Sequence, residues 1–148
     1  MTKTPDTAAP EITSDQFNAL LEEEIPFAYE VGMRADRIER GFAVLRMPTE
    51  QRSLRPGGTV SGPTMMALAD AAMYAVLLSA IGPVKLAVTT SFNANFLHRP
   101  EPADLIAEAR ILKLGKRLAV MDVTVHSDGF DQPVAHMTGT YSIPPREK

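Results

Sequence analysis

The hydrophobic pattern near the start of the chain has helical spacing. Apolar residues recur every three or four positions, at Phe17, Leu20 and Leu21. We therefore predict a helix over residues 15–25, opened by Ser14 and ended by Pro26, because proline disrupts a helix interior. Residues 1–11 are rich in Thr, Pro and Ala, and we predict that they form a flexible tail.

Two strand-like runs follow the first helix. They span residues 28–38 and 41–47, and Arg40-Gly41 is the predicted turn between them. The second run, FAVLRM, is apolar enough to be partly buried. Residues 49–58 carry the turn-forming residues typical of a loop.

The next segment is long and apolar on every side. Residues 61–81 are dominated by Ala, Leu and Met, with Ser61 placed to cap the start and Gly82 placed to end the helix. A membrane-spanning helix would need a longer uninterrupted apolar run, and Asp70 near the centre would oppose insertion. The pattern therefore predicts a helix buried inside a soluble protein.

After the long helix the period changes to two, which is typical of strands. Apolar and polar residues alternate over residues 84–96, and this predicts a half-buried strand. Turn signals separate three further predicted strands, over residues 104–114, 117–127 and 134–143.

This order of elements predicts an α+β fold with one helix, two strands, one long helix and four strands. The short connections make the strands antiparallel. One sheet covers only part of a helix that is apolar nearly all round, so we expect the long helix to meet loops or a second copy of the chain. Residues 12–145 are assigned to a single domain and residues 146–148 to a C-terminal tail.

Composition excludes several classes of function. The formal net charge of −3 argues against a nucleic-acid-binding protein, which would carry a basic excess. Because the chain has no cysteine, disulfides, thiolate metal sites and a cysteine nucleophile are ruled out. No two histidines have the spacing of metal ligands, so no metal site is expected. The N-terminal residues lack the apolar core of a signal peptide, and we expect a cytoplasmic protein.

Asp70 is the strongest candidate for chemistry. It is the only Asp, Glu, Lys, Arg or His between Arg55 and Lys85, and it lies on the apolar helix. A carboxylate in such surroundings needs a hydrogen-bonding partner, a bound proton or access to water. Asp70 is therefore either a functional acid or a structural one that bonds to a hydroxyl or a backbone N–H.

Three further groups have both a functional and a structural interpretation. Gly62 lies where the first backbone N–H groups and the positive end of the helix dipole meet, which suits an oxyanion or a plain capped helix. The strand after the helix carries polar residues that suit a bound water or a solvent-facing edge: Thr89, Ser91, Asn93 and Asn95. Cations that suit phosphate groups or solvated turns are Arg52, Arg55, Arg99, Lys113, Lys116 and Arg117.

Three segments together are similar to a known family. They are RPGGTVSGPTMMALADAAM, SFNANFLHRPEPADLIAEARILKLGKRLAV and PVAHMTGTYSI. In this order and spacing, from Pro56 to about Pro145, the chain resembles the hotdog-fold acyl-CoA thioesterases of the phenylacetate-degradation type. The resemblance implies a long central helix wrapped by a six-stranded antiparallel sheet, preceded here by a short N-terminal helix. It also implies a homodimer, with two dimers often forming a homotetramer.

The resemblance implies roles for single residues as well. The family pattern has His-Gly at the start of the central helix and an acid nine residues after the His. Ser61-Gly62 takes the His-Gly place here, and Asp70 matches the catalytic acid. Gly62 matches the glycine whose N–H polarises the thioester carbonyl. Arg55 stands where some members have an Asn, and Thr89, or Thr90 after a one-residue shift, matches a hydroxyl that holds the attacking water.

These matches lead to the hypothesis of acyl-CoA thioester hydrolysis. Asp70 acts as a general base on water or as a nucleophile, Gly62 and the helix dipole stabilise the oxyanion, and Thr89 positions the water. No cofactor is implied, since CoA is part of the substrate. A pantetheine arm would enter between subunits. The residues expected to contact the substrate are Ser61, Arg55, Pro63, Met66, Arg99, Lys116 and Arg117, with Met65 and Met73 as further candidates for an acyl pocket or the core.

Two other functions are alternatives to hydrolysis. The replacement of the family's His and Asn by Ser61 and Arg55 is consistent with a non-catalytic module that binds acyl-CoA or an acyl carrier. A hotdog dehydratase or hydratase is disfavoured, because such enzymes pair a His with an acid and no His lies on this helix or in the loop before it. Neither membrane nor nucleic acid is expected as a partner.

Overall fold

The structure, a computed structural model, describes residues 8–49, 54–55 and 59–145. Most of the tail predicted over residues 1–11, all of the tail predicted over 146–148, and the glycine-rich stretch 56–58 lie outside the described residues. In the described part of the predicted N-terminal tail, the backbone N–H of Glu11 donates a hydrogen bond to the carbonyl of Ser79, at 2.8 Å.

The chain forms three helices and eight strands within the described residues. The helices are α1 (Ser14–Glu24), α2 (Pro26–Glu30) and α3 (Gly62–Ile81). The strands are β1 (Arg34–Glu39), β2 (Phe42–Met47), β3 (Leu54–Arg55), β4 (Thr59–Val60), β5 (Val88–Phe96), β6 (Leu105–Leu114), β7 (Leu118–Ser127) and β8 (Pro133–Ser142).

Six strands form one antiparallel sheet in the order β1-β2-β6-β7-β8-β5, and α3 packs on one face of it, mainly against β2, β6 and β7. A long helix held by a six-stranded antiparallel sheet is the hotdog fold, so the predicted fold class is confirmed. The strands β3 and β4 form a separate small ribbon just before α3. This ribbon lies partly in the segment that was predicted to be a loop.

The chain between α1 and β1 differs from its prediction. Thr13 rather than Ser14 caps α1, through a capping box with Gln16. Pro26 ends α1 but also begins the short helix α2, because a proline is tolerated in the first turn of a helix. The strand predicted over residues 28–38 was therefore wrong over its first half, and β1 begins only at Arg34, after a turn at Gly32 with φ of +81°.

The central helix α3 matches its prediction closely. Ser61 caps its start, Gly82 ends it with φ of +85°, and eleven of its residues are buried. By length and composition α3 could cross a membrane, but most of it is buried against the protein's own sheet and α1. The methionines Met65 and Met73 belong to this core, at 4% and 0% exposed.

A bulge in β5 overturns the predicted alternation of that strand. The regular strand begins at Val88 rather than at residue 84, and the register with β8 shifts between Thr89 and Ser91. Thr89 therefore pairs with the buried Tyr141 and faces the helix, whereas Ser91 pairs with Thr140 on the other face. The prediction had placed Thr89 on the same face as Ser91, because strict alternation has no means of anticipating an inserted residue.

We predict that Gly139→Ala destabilises the protein because α3 lies close to β8 at this point. A Cβ at residue 139 would overlap the side chain of Met73, which is fully buried. The expected cost is about 1–3 kcal/mol in the free energy of unfolding, measured by urea denaturation. Combining it with Met73→Ala should cost less than the sum of the two single substitutions by about 1 kcal/mol or more. Additive costs would contradict the close contact.

Candidate active site

The carboxylate of Asp70 is held by two hydroxyl groups. Thr89 Oγ1 donates to Asp70 Oδ1 at 2.7 Å, and the hydroxyl of Tyr141 lies 2.9 Å from the same oxygen and 3.0 Å from the backbone carbonyl of Asp70. Both donors converge on Oδ1, and no described residue donates to Oδ2. One oxygen of the carboxylate is thus fixed, while the other is left without a hydrogen-bond donor from the described residues.

Three separate parts of the fold bring these groups together. Asp70 lies in the middle of α3, Thr89 in the bulge of β5, and Tyr141 near the end of β8. The ring of Tyr141 stacks on that of Tyr74, one turn after Asp70 on α3, with 6.3 Å between the ring centroids. This packing holds the Tyr141 hydroxyl within hydrogen-bonding distance of the Asp70 carboxylate.

Tyr141 is a neutral donor in this site. It is only 3% exposed, and burial, together with the nearby charge of Asp70, raises its pKa well above the ordinary value. Burial also raises the pKa of Tyr74, with a smaller effect from Glu24. Both phenols therefore remain protonated at any ordinary pH, and the Tyr141 proton is available to the Asp70 carboxylate.

A cavity of about 660 Å³ opens beside Asp70. Its lining comes from the end of α1, from α2, from the exposed side of α3 and from the segment before β5. Most of the lining is apolar; the polar residues in it are Glu24, Asp70, Tyr74, Lys85, Thr89 and Tyr141. The carboxylate is thus reached from an apolar space that is large enough for a small organic group.

The start of α3 forms a second polar feature. Among the described residues, the backbone N–H of Gly62 has no hydrogen-bond partner, while the hydroxyl of Ser61 accepts from the Thr64 N–H at 3.3 Å. The ring of Phe96 packs on Gly62, where an added Cβ would lie 3.1 Å from the ring. The helix N-terminus therefore presents a free N–H with a positive dipole, which suits a developing negative charge.

Within one chain, the free N–H of Gly62 and the carboxylate of Asp70 lie far apart. Gly62 and Asp70 are eight residues apart on the same helix, which corresponds to about 12 Å along its axis. A single thioester carbonyl cannot lie within hydrogen-bonding distance of Gly62 and within reach of a water on Asp70 at that separation. The structure brings Thr89 to Asp70 but leaves Gly62 at a distance within one chain.

The other residues expected to contact the substrate surround the start of α3. Ser61 is used as the helix cap, and Pro63 and Met66 are exposed on the first turns of α3 without lining the Asp70 cavity. Arg55 lies in β3 and pairs with Thr59 in β4, just ahead of α3. These four residues therefore lie near the N-terminus of α3 rather than beside the carboxylate of Asp70.

The predicted phosphate-binding cations fall at two ends of the sheet. Arg99 follows β5 and lies at the end where Phe96 meets Gly62. Lys116 and Arg117 form the turn between β6 and β7 at the other end, and the carbonyl of Arg117 accepts a hydrogen bond from the N–H of Ile143. In one chain they therefore do not form a single cationic surface.

Two parts of the site were not predicted from the sequence. Tyr141 could have been found, because it alternates with polar residues in the last strand and so faces the core, where a phenol needs an acceptor. The sequence pattern did not indicate the cavity wall formed by α2, and it predicted a strand over residues 28–38 instead. In the part of the chain that the structure describes, no three His, Asp or Glu side chains are arranged to hold a metal ion.

Comparison with known proteins identifies the family. The family model of the thioesterase superfamily matches residues 57–133, just over half of the chain. The chain belongs to the thioesterase superfamily. Together with the fold, this match makes the protein a hotdog thioesterase, and so a hydrolase of the thioesterase class. Its similarity to a PaaI protein, given below, makes it one of the phenylacetate-degradation type.

Individual relatives agree with the family. A protein of Silicibacter sp. TM1040, described as a putative thioesterase, is 44% identical with a TM-score of 0.84, covering 92% of this chain and 94% of that one. The phenylacetic acid degradation protein PaaI of Thermus thermophilus, in a mutant form, is 29% identical with a TM-score of 0.71, covering 80% and 99%. A putative esterase of Saccharolobus solfataricus is 29% identical over 135 residues, or 90% of this chain and 87% of that protein.

We predict that Tyr141 makes this thioesterase less stable at high pH. Above pH 10 the phenol ionises in the unfolded chain but not in the folded one, because its folded pKa is raised, so unfolding becomes more favourable as the pH rises. Between pH 8 and pH 11 the wild type should lose about 1.4 kcal/mol more than Tyr141→Phe, measured by urea denaturation. Equal losses in the two proteins would contradict the buried, protonated phenol.

Proposed function

We propose that the protein hydrolyses acyl-CoA thioesters, with Asp70 as the general base. The observation that carries this proposal is the asymmetry of the Asp70 carboxylate. Hydroxyls of Thr89 and Tyr141 hold Oδ1, no described residue donates to Oδ2, and Asp70 lines an apolar cavity. A carboxylate fixed on one side and without a donor on the other suits the activation of a water molecule.

The chemistry follows from this arrangement. Oδ2 accepts a proton from water as the water oxygen attacks the thioester carbonyl carbon. The oxyanion that forms is stabilised by a backbone N–H at a helix N-terminus. When the tetrahedral intermediate collapses, the C–S bond breaks, and the proton on Asp70 passes to the departing thiolate. The products are a free acid and CoA, and no further co-reactant is needed.

Thr89 contributes in two ways under this proposal. Its proton is used in the bond to Asp70 Oδ1, so its oxygen is left as an acceptor that can orient the attacking water. Because the same bond fixes the carboxylate, the water and the base keep a constant geometry. Direct attack by Oδ2 on the carbonyl carbon is the alternative route: the C–S bond breaks as an anhydride with Asp70 forms, and water then hydrolyses the anhydride to the free acid and the Asp70 carboxylate.

A homodimer would complete the site. In the sheet as described, β5 is an edge strand with an unpaired side, and Val88 and Phe96 at its ends are 56% and 50% exposed. Antiparallel pairing of two β5 strands about their middle places the Thr89 end of one beside the Phe96 end of the other. Since Phe96 packs on Gly62, the free N–H of one chain then approaches the carboxylate of its partner.

The same arrangement would gather the substrate-binding residues. It brings Ser61, Pro63 and Met66 of one subunit towards the Asp70 cavity of the other, where a pantetheine arm would lie between subunits. The CoA phosphates would then be held by cations at the surface, with Arg99, Lys116, Arg117 and Arg55 as candidates. We further propose that two dimers associate into a tetramer, that the protein is cytoplasmic, and that it needs no cofactor.

We predict that Asp70→Asn lowers kcat by at least about 100-fold, because the amide cannot accept the proton from water. Activity is measured on a panel of acyl-CoA thioesters, and the melting temperature and oligomeric state confirm the fold. The matched control is Asp122→Asn, which removes a carboxylate that pairs with His136 in the sheet, away from the cavity. The control should keep its activity.

Three results decide the proposal. Full activity of Asp70→Asn would overturn the role of the carboxylate. A wild type that binds a non-hydrolysable acyl-CoA tightly but turns over no thioester would show a binding module instead. Activity that falls equally in Asp70→Asn and Asp122→Asn, with both variants folded, would contradict a specific role for Asp70.

A shared site predicts complementation between two inactive variants. Gly62→Val forces a clash with Phe96 at the helix N-terminus, and Asp70→Asn removes the base. Random mixing makes half of the dimers heterodimers, and each has one site with both an intact Gly62 and an intact Asp70. The mixture should therefore recover about a quarter of the wild-type activity. No recovery, with heterodimers shown by native mass spectrometry, would contradict a site shared between subunits.

A further inference from the structure

The hairpin formed by β6 and β7 concentrates positive charge. Residues 109–121 contain four cations and no acid, although the whole chain has a formal net charge of −3. The four cations are Arg110, Lys113, Lys116 and Arg117. The turn end of this hairpin is therefore a basic surface on an otherwise acidic chain, and such a surface attracts anionic partners.

Most of this charge has no acidic partner in the part of the chain that the structure describes. Lys113, Lys116 and Arg117 form no ion pair there. The nearest acids in sequence, Glu108 and Asp122, lie beside histidines of β7 and β8, at 3.6 Å and 3.1 Å. The hairpin cations are thus available to an anion from outside the described chain.

Three large apolar side chains are exposed beside these cations. Leu112, Leu114 and Leu118 are 58%, 45% and 54% exposed. Leu114 pairs with the buried Ala119, so it lies on the face of the sheet that carries α3, whereas Leu118, next to Ala119 in the strand, lies on the opposite face. Apolar side chains therefore project from both faces of the hairpin end.

The turn that presents these side chains is tight. The backbone N–H of Gly115 donates to the carbonyl of Leu118 at 2.8 Å, and a Cβ at residue 115 would lie only 2.8 Å from the same oxygen. Because the turn is preformed, the leucines and cations lose little conformational entropy when they meet a partner.

Exposed leucines on both faces of a cationic hairpin favour a lipid surface over a folded protein as the partner. A protein surface covers one face of a ribbon, whereas the interface of a bilayer surrounds an inserted tip and accepts apolar groups on every side. Basic side chains next to the leucines then lie close to anionic headgroups, which attract them. The proposed pairing of two β5 strands does not involve this hairpin, since β8 lies between β7 and β5.

We propose that the turn end of the β6–β7 hairpin, residues 112–118, docks on the surface of an anionic lipid bilayer. Its three leucines enter the boundary between headgroups and acyl chains, and its two lysines and one arginine contact the lipid phosphates. The central helix stays buried against the sheet, so the protein touches the bilayer without spanning it. This surface contact differs from the expectation of no membrane partner, which took account only of the central helix.

The test is sedimentation of the full-length protein with lipid vesicles. Vesicles of equimolar phosphatidylglycerol and phosphatidylcholine are compared with vesicles of phosphatidylcholine alone. We expect the partition coefficient to be at least about tenfold higher on the anionic vesicles, because several basic residues act together. In about 0.5 M NaCl this preference should largely disappear, since salt screens the attraction between the hairpin and the headgroups.

Two substitutions separate the electrostatic and apolar contributions. Lys113→Gln should lower the partition on anionic vesicles about fivefold, the effect of one basic residue near such a surface. Leu118→Thr should lower it about tenfold, because one inserted leucine is lost. The matched controls are Lys85→Gln and Leu97→Thr, the same changes at exposed positions outside the hairpin, and both should bind as the wild type does. The two hairpin cations proposed for the CoA phosphates stay unchanged.

The outcomes decide the docking site independently of the proposed hydrolysis, because no thioester is present. Melting temperatures close to that of the wild type show that each variant is folded. Equal partition on anionic and neutral vesicles, or wild-type partition of both Lys113→Gln and Leu118→Thr, would overturn the inference. Self-association that is lost in Leu118→Thr, in a wild type that binds no vesicles, would also overturn it and show that the hairpin contacts a second copy of the chain.

Discussion

The helix α3 is apolar on every side, and the single sheet that wraps it covers only part of its surface. Eleven of its residues are buried by this sheet and by α1, and the burial of so much apolar surface accounts for much of the stability of the fold. The side that the sheet leaves uncovered holds Ala67, Asp70 and Ala71. The candidate site is a consequence of this incomplete cover.

A carboxylate on such a helix would be costly if it had no partners, and the fold supplies two. The hydroxyls of Thr89 and Tyr141 bind one oxygen of Asp70, and because both donors are neutral they leave the negative charge in place. A cationic partner would instead have neutralised the charge that a general base needs. The same contacts thus offset the cost of placing the Asp70 carboxylate on an apolar helix and suit it to the proton transfer that we propose.

The two polar features of α3 lie about 12 Å apart along the helix, and under the proposed function this separation links catalysis to the assembly of a dimer. A helix can present its free N–H groups only at its start, whereas Asp70 sits where the β5 bulge and the end of β8 reach it. In the proposed dimer, two antiparallel copies bring the start of one helix to the middle of the other. The short helix α2 forms one wall of the apolar cavity.

The sequence by itself determined the central helix with its caps, the three strands after β5, the antiparallel sheet and Asp70 as the lone charge, because each follows from local periodicity or composition. Only the tertiary structure decided that Thr89 turns inward, that Tyr141 shares the carboxylate across 71 residues of chain, and that residues 26–30 are helical. A bulge depends on how two strands pair, and a cavity depends on how distant elements pack. Neither leaves a periodic trace in the sequence.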